Sequence, residues 1–86
     1  MVFIDNKSLN RFELDVDGKI VFANYRLDGD ILYINYVESP EELSGTGAAG
    51  NLMEGIVSIA RKNEYKIHPI CSYAASWLRR HQDLRA

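Results

Sequence analysis

One glycine-rich stretch, residues 42–50 with the sequence ELSGTGAAG, limits what this chain can fold into more than any other segment. Its small residues leave backbone amides uncovered, and apolar residues then recur at helical spacing, at Leu52, Ile56, Ile59 and Ala60. A glycine-rich turn that opens a helix points several N–H groups outward at the positive end of the helix dipole. The pattern indicates either a site for a phosphate or diphosphate, or glycines that only let the helix pack closely on a sheet.

Length, charge and cysteine content narrow the class of protein. A chain of 86 residues predicts a single domain over residues 1–86, with a core so small that a monomer or a weak dimer is expected. The net charge of −2 argues against broad electrostatic binding to nucleic acid. We expect no membrane association, because no leader peptide is visible and no apolar run approaches the ~20 residues of a membrane helix. Cys71 is the single cysteine, which excludes an internal disulfide and favours a reducing cytoplasm.

Three strand-like runs precede the glycine-rich stretch. Residues 11–16 alternate polar and apolar side chains, and Asp17-Gly18 after them predicts a tight hairpin turn into a return strand over residues 19–27. A second tight turn leads into a strand over residues 31–37. These two strands are apolar on both faces at least in part, which predicts helices on both sides of the sheet. Residues 1–9 fit either an edge strand or a segment packed under the first hairpin.

The second half of the chain predicts a helix, a strand and a short helix. The main helix should run from Gly45 or Thr46 to about Asn63, with Gly55 in its middle at a cost of roughly 1 kcal/mol against alanine. A strand over residues 66–71 contains Pro69, which implies an edge, a bulge or a splay from its neighbour. A helix over residues 73–81 follows, with Ser72 as its N-cap. The order β-β-β-α-β-α predicts an α+β fold in which a right-handed crossover makes the last strand parallel to the third.

Two groups of residues carry a resemblance to a known family. The first lies in and after the glycine-rich stretch: Leu43, Gly45, Gly47, Ala49 and Leu52. The second follows the main helix: Ala60, Arg61, Ile67, Pro69, Cys71 and Tyr73, with Arg79, Arg80 and His81 after them. On these residues the chain resembles the small, minimal GCN5-related N-acetyltransferases of the YjdJ type, most strongly over residues 36–81. The combination is more specific than the glycines alone, so the resemblance favours a ligand site over a purely structural turn.

The resemblance implies an N-acetyltransferase that takes its acetyl group from acetyl-CoA. The acceptor would be an amine, on a small molecule or on a protein lysine or N-terminus. Backbone amides of the turn would hold the CoA diphosphate, here those of Ser44, Gly45, Thr46, Gly47, Ala48, Ala49 and Gly50. The third strand would part from the strand bearing Cys71, and the pantetheine arm would lie in the gap against the backbone of Tyr36, Val37 and Glu38. Cys71 matches a catalytic cysteine, and the family has a basic segment near CoA that corresponds to Arg79, Arg80 and His81.

The chain departs from the family pattern at two places that bear on CoA affinity. The family usually has an arginine before the first glycine, where this chain has Ser44. The family usually continues after the basic segment with a proline, an aromatic residue and a short acidic-apolar tail, whereas residues 82–86 are shortened and diverged.

Several candidate residues also fit a purely structural role. Cys71 fits a small buried hydrophobe, and His81 fits an exposed residue at a helix end. Arg79 and Arg80 fit cations that complement the dipole at a helix C-terminus. His68 and Cys71 lie three residues apart on a strand, so their side chains start on opposite faces and a direct pair is not expected.

Other classes of site fit the sequence less well. Two histidines and one cysteine lack the spacing of a zinc site, so no metal is predicted. No lysine follows the glycines as it does in nucleotide triphosphatases. Gly45, Gly47 and Gly50 have the spacing of a dinucleotide-binding turn, but an antiparallel meander precedes them. The remaining alternatives are a CoA-binding or protein-interaction module with little or no turnover, and a structural domain without a ligand.

Overall fold

A five-stranded sheet that carries two helices makes up the computed structural model, which describes residues 1–81. The elements are β1 (Val2–Asn6), β2 (Arg11–Val16), β3 (Lys19–Asp28), β4 (Ile31–Glu38), a 3₁₀ turn (Glu41–Leu43), α1 (Ala48–Asn63), β5 (Lys66–Pro69) and α2 (Ser72–Arg80). The strands lie side by side in chain order; the first four are antiparallel, and β5 runs parallel to β4. The predicted α+β meander, helix, parallel strand and short helix are thereby confirmed, and residues 1–9 contribute a further edge strand, β1.

The buried core lies on one face of the sheet. Cross-strand pairing aligns Phe12 with Ala23 and Leu14 with Val21, and all four side chains are buried. Both helices cover this same face, because their buried residues belong to one cluster with these strands: Leu52, Met53, Ile56, Val57, Ala60, Ala74, Trp77 and Leu78. The prediction of helices on both faces is wrong for the part of the chain that the structure describes. None of the helices in residues 1–81 is long and apolar enough to cross a membrane.

Charged and aromatic side chains shield the opposite face in place of a helix. The Arg11 guanidinium lies 4.4 Å from the centre of the Phe22 ring, and that of Arg26 lies 4.2 Å from the centre of the Tyr33 ring. An arginine stacked on a ring covers apolar surface while its charge stays hydrated. This explains how β3 and β4 can be apolar on both faces although a helix covers only one.

Both helices begin away from their predicted positions. Helix α1 starts at Ala48, two or three residues late, because Gly47 takes a left-handed backbone conformation (φ 83°) that a helix cannot continue. Its predicted apolar face is confirmed at Leu52, Ile56 and Ala60, which are buried. Helix α2 is preceded by Cys71 rather than by the predicted N-cap Ser72, and none of the described side chains caps it.

Gly55, which lowers the helix propensity in the middle of α1, is required by a packing contact. A Cβ atom at this position would lie 2.5 Å from Cε2 of Phe3, a residue of the edge strand β1. The Phe3 ring in turn stacks on Phe12, with ring centres 5.8 Å apart. The missing side chain of Gly55 therefore lets β1 pack against α1.

We predict that Gly55→Ala destabilises the fold by about 1 kcal/mol. The overpacking against Phe3 exceeds the roughly 1 kcal/mol that alanine adds to helix propensity. In a Phe3→Ala background the same substitution should be stabilising, and urea unfolding of the four variants measures the change of sign. Ser58→Ala, at an exposed position of the same helix, serves as a control with little effect. A destabilisation that persists without the Phe3 ring would contradict this explanation.

A polar cluster on the shielded face ties β1 to β2. Glu13 accepts hydrogen bonds from Arg11 Nε at 2.6 Å and from Asn6 Nδ2 at 3.1 Å, and its side chain is only 12% exposed. The bond from Arg11, followed by the bond from Asn6, lowers the pKa of Glu13 below its ordinary value of 4.5. A lowered pKa stabilises the fold above pH 4.5, and this contribution is lost as the pH falls through the folded-state pKa.

We predict that Glu13→Gln removes part of the acid sensitivity of the protein. At pH 7 the variant should lose about 1 kcal/mol of unfolding free energy, because a charge-assisted contact is replaced by a neutral one. Below pH 4 or so the two proteins should converge. Urea unfolding as a function of pH measures both, and parallel curves for the two proteins would exclude Glu13 as the titrating group.

Candidate active site

The ladder between the two parallel strands stops halfway along β4. Pairing ends where Ile34 lies beside Pro69, whose nitrogen is directed to the outer edge of β5 and away from β4. The carbonyl oxygen of Ile34 then accepts from both Ile70 N (2.9 Å) and Cys71 N (3.0 Å). Beyond that point, none of the described residues pairs with β4 on this side. The structure thus has a parting between β4 and the chain that leaves β5, at the position of the proline.

Residues 36–38 of β4 border this parting. On their other side they pair with β3, as Tyr36 with Asn24, Val37 with Ala23 and Glu38 with Phe22. Alternate backbone N–H and C=O groups of a strand point to opposite edges, so this segment keeps unused backbone groups on the side of the parting. A segment lying in the gap could add to the sheet as a strand does.

A β-bulge sits at the start of the parting. Tyr25 pairs with Ile34 and Asn24 with Tyr36, so Asn35 is an extra residue on β4. Bulges bend the strand and redirect side chains, and they are frequent beside active sites. Here Ile34 is buried in the core, whereas Tyr36 is 48% exposed on the shielded face.

The glycine-rich turn presents open amides at the N-terminus of α1. Gly45 (φ 79°) and Gly47 (φ 83°) both take left-handed conformations. Within the described chain, no protein group accepts a hydrogen bond from the N–H of Gly45, Gly47, Ala49 or Gly50. A helix N-terminus with open amides favours an anion, through direct hydrogen bonds and through the helix dipole.

The other amides of the turn are engaged in holding its shape. Ser44 N donates to Glu41 O at 3.0 Å and Thr46 N to Leu43 O at 3.1 Å. Ala48 N donates to Thr46 Oγ1 at 3.3 Å, while that hydroxyl donates to Leu43 O at 2.6 Å. Of the seven amides expected from the sequence, those of Ser44, Thr46 and Ala48 therefore fix the turn.

Cys71 lies at the corner where the chain leaves β5 for α2. Its side chain is half-buried, and its carbonyl oxygen accepts the first bond of α2, from Ala75 N at 3.0 Å. The charge of a Cys71 thiolate would be felt by Tyr36 and by Tyr73. These two phenols, one on β4 and one on α2, place the thiol beside the parting.

Both phenols near Cys71 keep their protons. Tyr36 donates to Glu38 Oε1 at 2.7 Å, and this bond, then the Glu38 charge, raises the pKa of Tyr36. Burial raises the pKa of Tyr73, with Arg80 acting in the opposite direction. His68 is exposed on the shielded face, its ring centre 5.2 Å from that of Tyr33. His68 makes no hydrogen bond with Cys71, as the strand spacing predicted.

The C-terminal half of α2 packs against the N-terminal turn of α1. The Trp77 indole lies against Gly50, where an added Cβ would meet Nε1 at 3.3 Å. His81 stacks on Trp77 with ring centres 3.9 Å apart, and its Nδ1 is 2.8 Å from Trp77 O. The sequence predicted Trp77 to be buried, but its role as the link between the two helices was missed. The small residue at position 50 is the signal that allows so close an approach.

The two arginines of the basic segment remain on the surface. Arg79 and Arg80 are exposed in the last turn of α2, and Arg80 Nη1 donates to Ser76 Oγ at 2.8 Å. Neither forms a hydrogen bond or an ion pair with residues 44–50 in the described structure. The diverged tail at residues 82–86 lies outside the described residues.

Two partly open cavities lie elsewhere in the molecule. Cavities of about 500 and about 630 Å³ both include Tyr65, near the C-terminal end of α1, and neither is lined by the glycine-rich turn or by Cys71. Residues 1–81 contain no group of three or more histidine, cysteine, aspartate or glutamate side chains placed to hold a metal ion. The candidate site is the groove formed by the parting and the turn, and it lies outside both of these cavities.

Comparison with known proteins agrees with this geometry. The model of a family described as GCN5-related N-acetyl-transferase matches residues 11–86. Among solved structures, the fold is similar to the NMR solution structure of a GCN5-like candidate N-acetyltransferase from Staphylococcus aureus. That similarity has a TM-score of 0.73 and 28% identity, and it covers 88% of this chain and 78% of the other. No curated protein matches the chain.

Proposed function

This chain belongs to the GCN5-related N-acetyltransferase family, and on that premise we propose that it binds acetyl-CoA and transfers the acetyl group to an amine. The proposal is supported by two sets of unused backbone groups that occur together. Four unused amides stand at the N-terminus of α1, and unused backbone groups of residues 36–38 border the parting. A diphosphate joined to an amide-containing arm needs both kinds of partner.

In the proposed complex, the diphosphate accepts hydrogen bonds from the amides of Gly45, Gly47, Ala49 and Gly50. The pantetheine arm lies in the parting along Tyr36, Val37 and Glu38 and hydrogen-bonds with their backbone. Arg79, Arg80 and His81, at the end of α2, would add contacts to CoA once it is bound. Ser44, Thr46 and Ala48 contribute by shaping the turn, since their amides are engaged within it.

The reaction is the attack of a neutral amine on the thioester carbonyl. The carbonyl oxygen becomes an oxyanion, the C–S bond breaks, and the CoA sulfur leaves as a thiolate that takes up a proton. Much of the rate would come from holding the thioester at the end of the parting, where backbone N–H groups can stabilise the oxyanion. The amine approaches from the open groove and loses its proton to solvent or to a nearby base.

We assign Cys71 as the proton donor to the leaving thiolate. A role as covalent nucleophile needs a cation that stabilises its thiolate. Within the described chain, no cation forms a hydrogen bond or an ion pair with Cys71, and its neighbours Tyr36 and Tyr73 are neutral phenols. A thiol beside the parting without such a cation fits the delivery of a proton better than it fits attack.

A CoA-binding module with little turnover is the second candidate. The open groove favours it, because neither of the two cavities described above is lined by the turn or by Cys71. Assays of CoA release with polyamines and with lysine-containing peptides distinguish the two: stoichiometric binding without acceptor-dependent release would establish the module.

We predict that Gly47→Asp weakens acetyl-CoA binding at least about tenfold, because a carboxylate would repel the diphosphate at the helix N-terminus. Isothermal titration calorimetry measures the affinity. Gly29→Asp is the matched control: Gly29 also has a positive φ (62°) and open surroundings, but it lies at the opposite end of β4. Equal affinities in the two variants would refute this placement of the diphosphate, and no binding by the unmodified protein at millimolar ligand would refute CoA binding altogether.

We predict that Cys71→Ala lowers kcat by about 100-fold and leaves acetyl-CoA affinity nearly unchanged, as expected for a lost general acid. Cys71→Ser should retain part of the activity, and the exposed neighbour Ser72→Ala should retain all of it. Mass spectrometry of acetylated product gives a readout independent of thiol reagents. Unchanged turnover in a folded Cys71→Ala protein would remove the residue from the mechanism.

A further inference from the structure

The outer edge of β1 is an unprotected strand edge. β1 pairs with β2 on one side, and among the described residues nothing pairs with its other side. Val2 is 57% and Ile4 43% exposed, and the flanking Met1 and Leu9 are exposed as well. Four of the seven large apolar side chains that are exposed in the described chain thus lie on or beside this one strand. Val2–Asn6 contains no lysine, arginine or proline, the residues that commonly keep an edge from pairing.

The opposite edge of the sheet, formed by β5, is protected against further pairing. β5 is only four residues long, carries Lys66 and His68 on the shielded face, and ends at Pro69. Short length, charge and proline are the usual protections of a free edge. One edge of the sheet is therefore blunted, whereas β1 keeps open backbone groups together with exposed apolar side chains.

We propose that β1 pairs antiparallel with β1 of a second copy of this chain, about a two-fold axis, to give a continuous ten-stranded sheet. The strand is complementary to itself. With the axis at Ile4, that residue lies opposite its own copy, Val2 lies opposite Asn6, and Phe3 lies opposite Asp5. No like charges meet, and each Asp5 keeps the hydrogen bond that it accepts from Tyr25 of its own chain at 2.7 Å.

The symmetry limits the assembly to a dimer. Pairing uses the open edge of both copies and leaves only the blunted β5 edges at the ends, so the sheet cannot extend further. β1 also lies outside residues 11–86, to which the family match is confined. The parting, at β4 and β5, lies at the opposite edge of the sheet from β1, so the dimer would leave it uncovered.

Sedimentation velocity of the untagged chain, from about 10 μM to about 1 mM, tests the proposal. We expect a monomer–dimer equilibrium whose dissociation constant Ile4→Lys raises at least about tenfold, because the axis places the two lysines opposite each other. Leu27→Lys is the matched control, since Leu27 is equally exposed (42%) but lies on β3 away from this edge. A wild-type protein that stays monomeric at the highest concentration, or equal loss of dimer in both variants, would overturn the proposal.

A cross-linking experiment tests the register independently. In a Cys71→Ala background, Ile4→Cys places two thiols at directly opposed positions, where the Cα separation suits a disulfide. Oxidised glutathione should then convert the protein to a covalent dimer, whereas Leu27→Cys should remain monomeric. Equal cross-linking of the two variants, or none in Ile4→Cys, would exclude this arrangement.

Discussion

The end of the β4–β5 ladder at Pro69 is the constraint on which the rest of the site depends. The amides of Ile70 and Cys71 both donate to the carbonyl oxygen of Ile34, so the chain turns away from β4 at this point and the ladder stops. That turn leaves one edge of β4 unpaired and places Cys71 at the first turn of α2. Helix α2 then returns to the N-terminus of α1, where Trp77 contacts Gly50. The Ile34 carbonyl oxygen, which accepts from two successive amides, thus marks the gap, the position of the thiol and the start of the helix that contacts α1.

The two-layer construction determines how the site meets solvent. Both helices lie on one face and bury one core, while arginine–aromatic stacks shield the other face. A cation over a ring removes less surface from water than a helix would, so this face stays accessible. The parting between β4 and β5 therefore borders a sheet face that none of the described helices covers. In the proposed complex, such an open site would suit a large acceptor better than a small one, because few side chains would surround the acceptor.

Local features of the sequence predicted the local structure well. Asp17 and Gly18 take the positive φ values that a two-residue hairpin needs, and the helical period of α1 identified the buried Leu52 and Ile56. Pro69 marked the end of the parallel ladder. Features that depend on distant contacts were not predictable: the contact of Gly55 with Phe3 joins residues far apart in the chain. The conformation of Gly47, which delays α1, is one that glycine permits but does not require. Within the turn, the division between open and engaged amides depends on the preceding 3₁₀ turn and on the Thr46 hydroxyl, neither of which the glycine spacing reveals.

The extra residue Asn35 changes the course of β4 without changing which of its side chains are buried. Leu32 and Ile34 face the core before the bulge, and Val37 faces it afterwards, opposite Ala23. If Asn35 were deleted, strict alternation would still bring each of these side chains to its present face. The hydrophobic interior therefore gives no reason for the insertion. A bulge bends its strand, here where the two parallel strands separate, so a straightened strand would retain the same interior with a differently shaped groove.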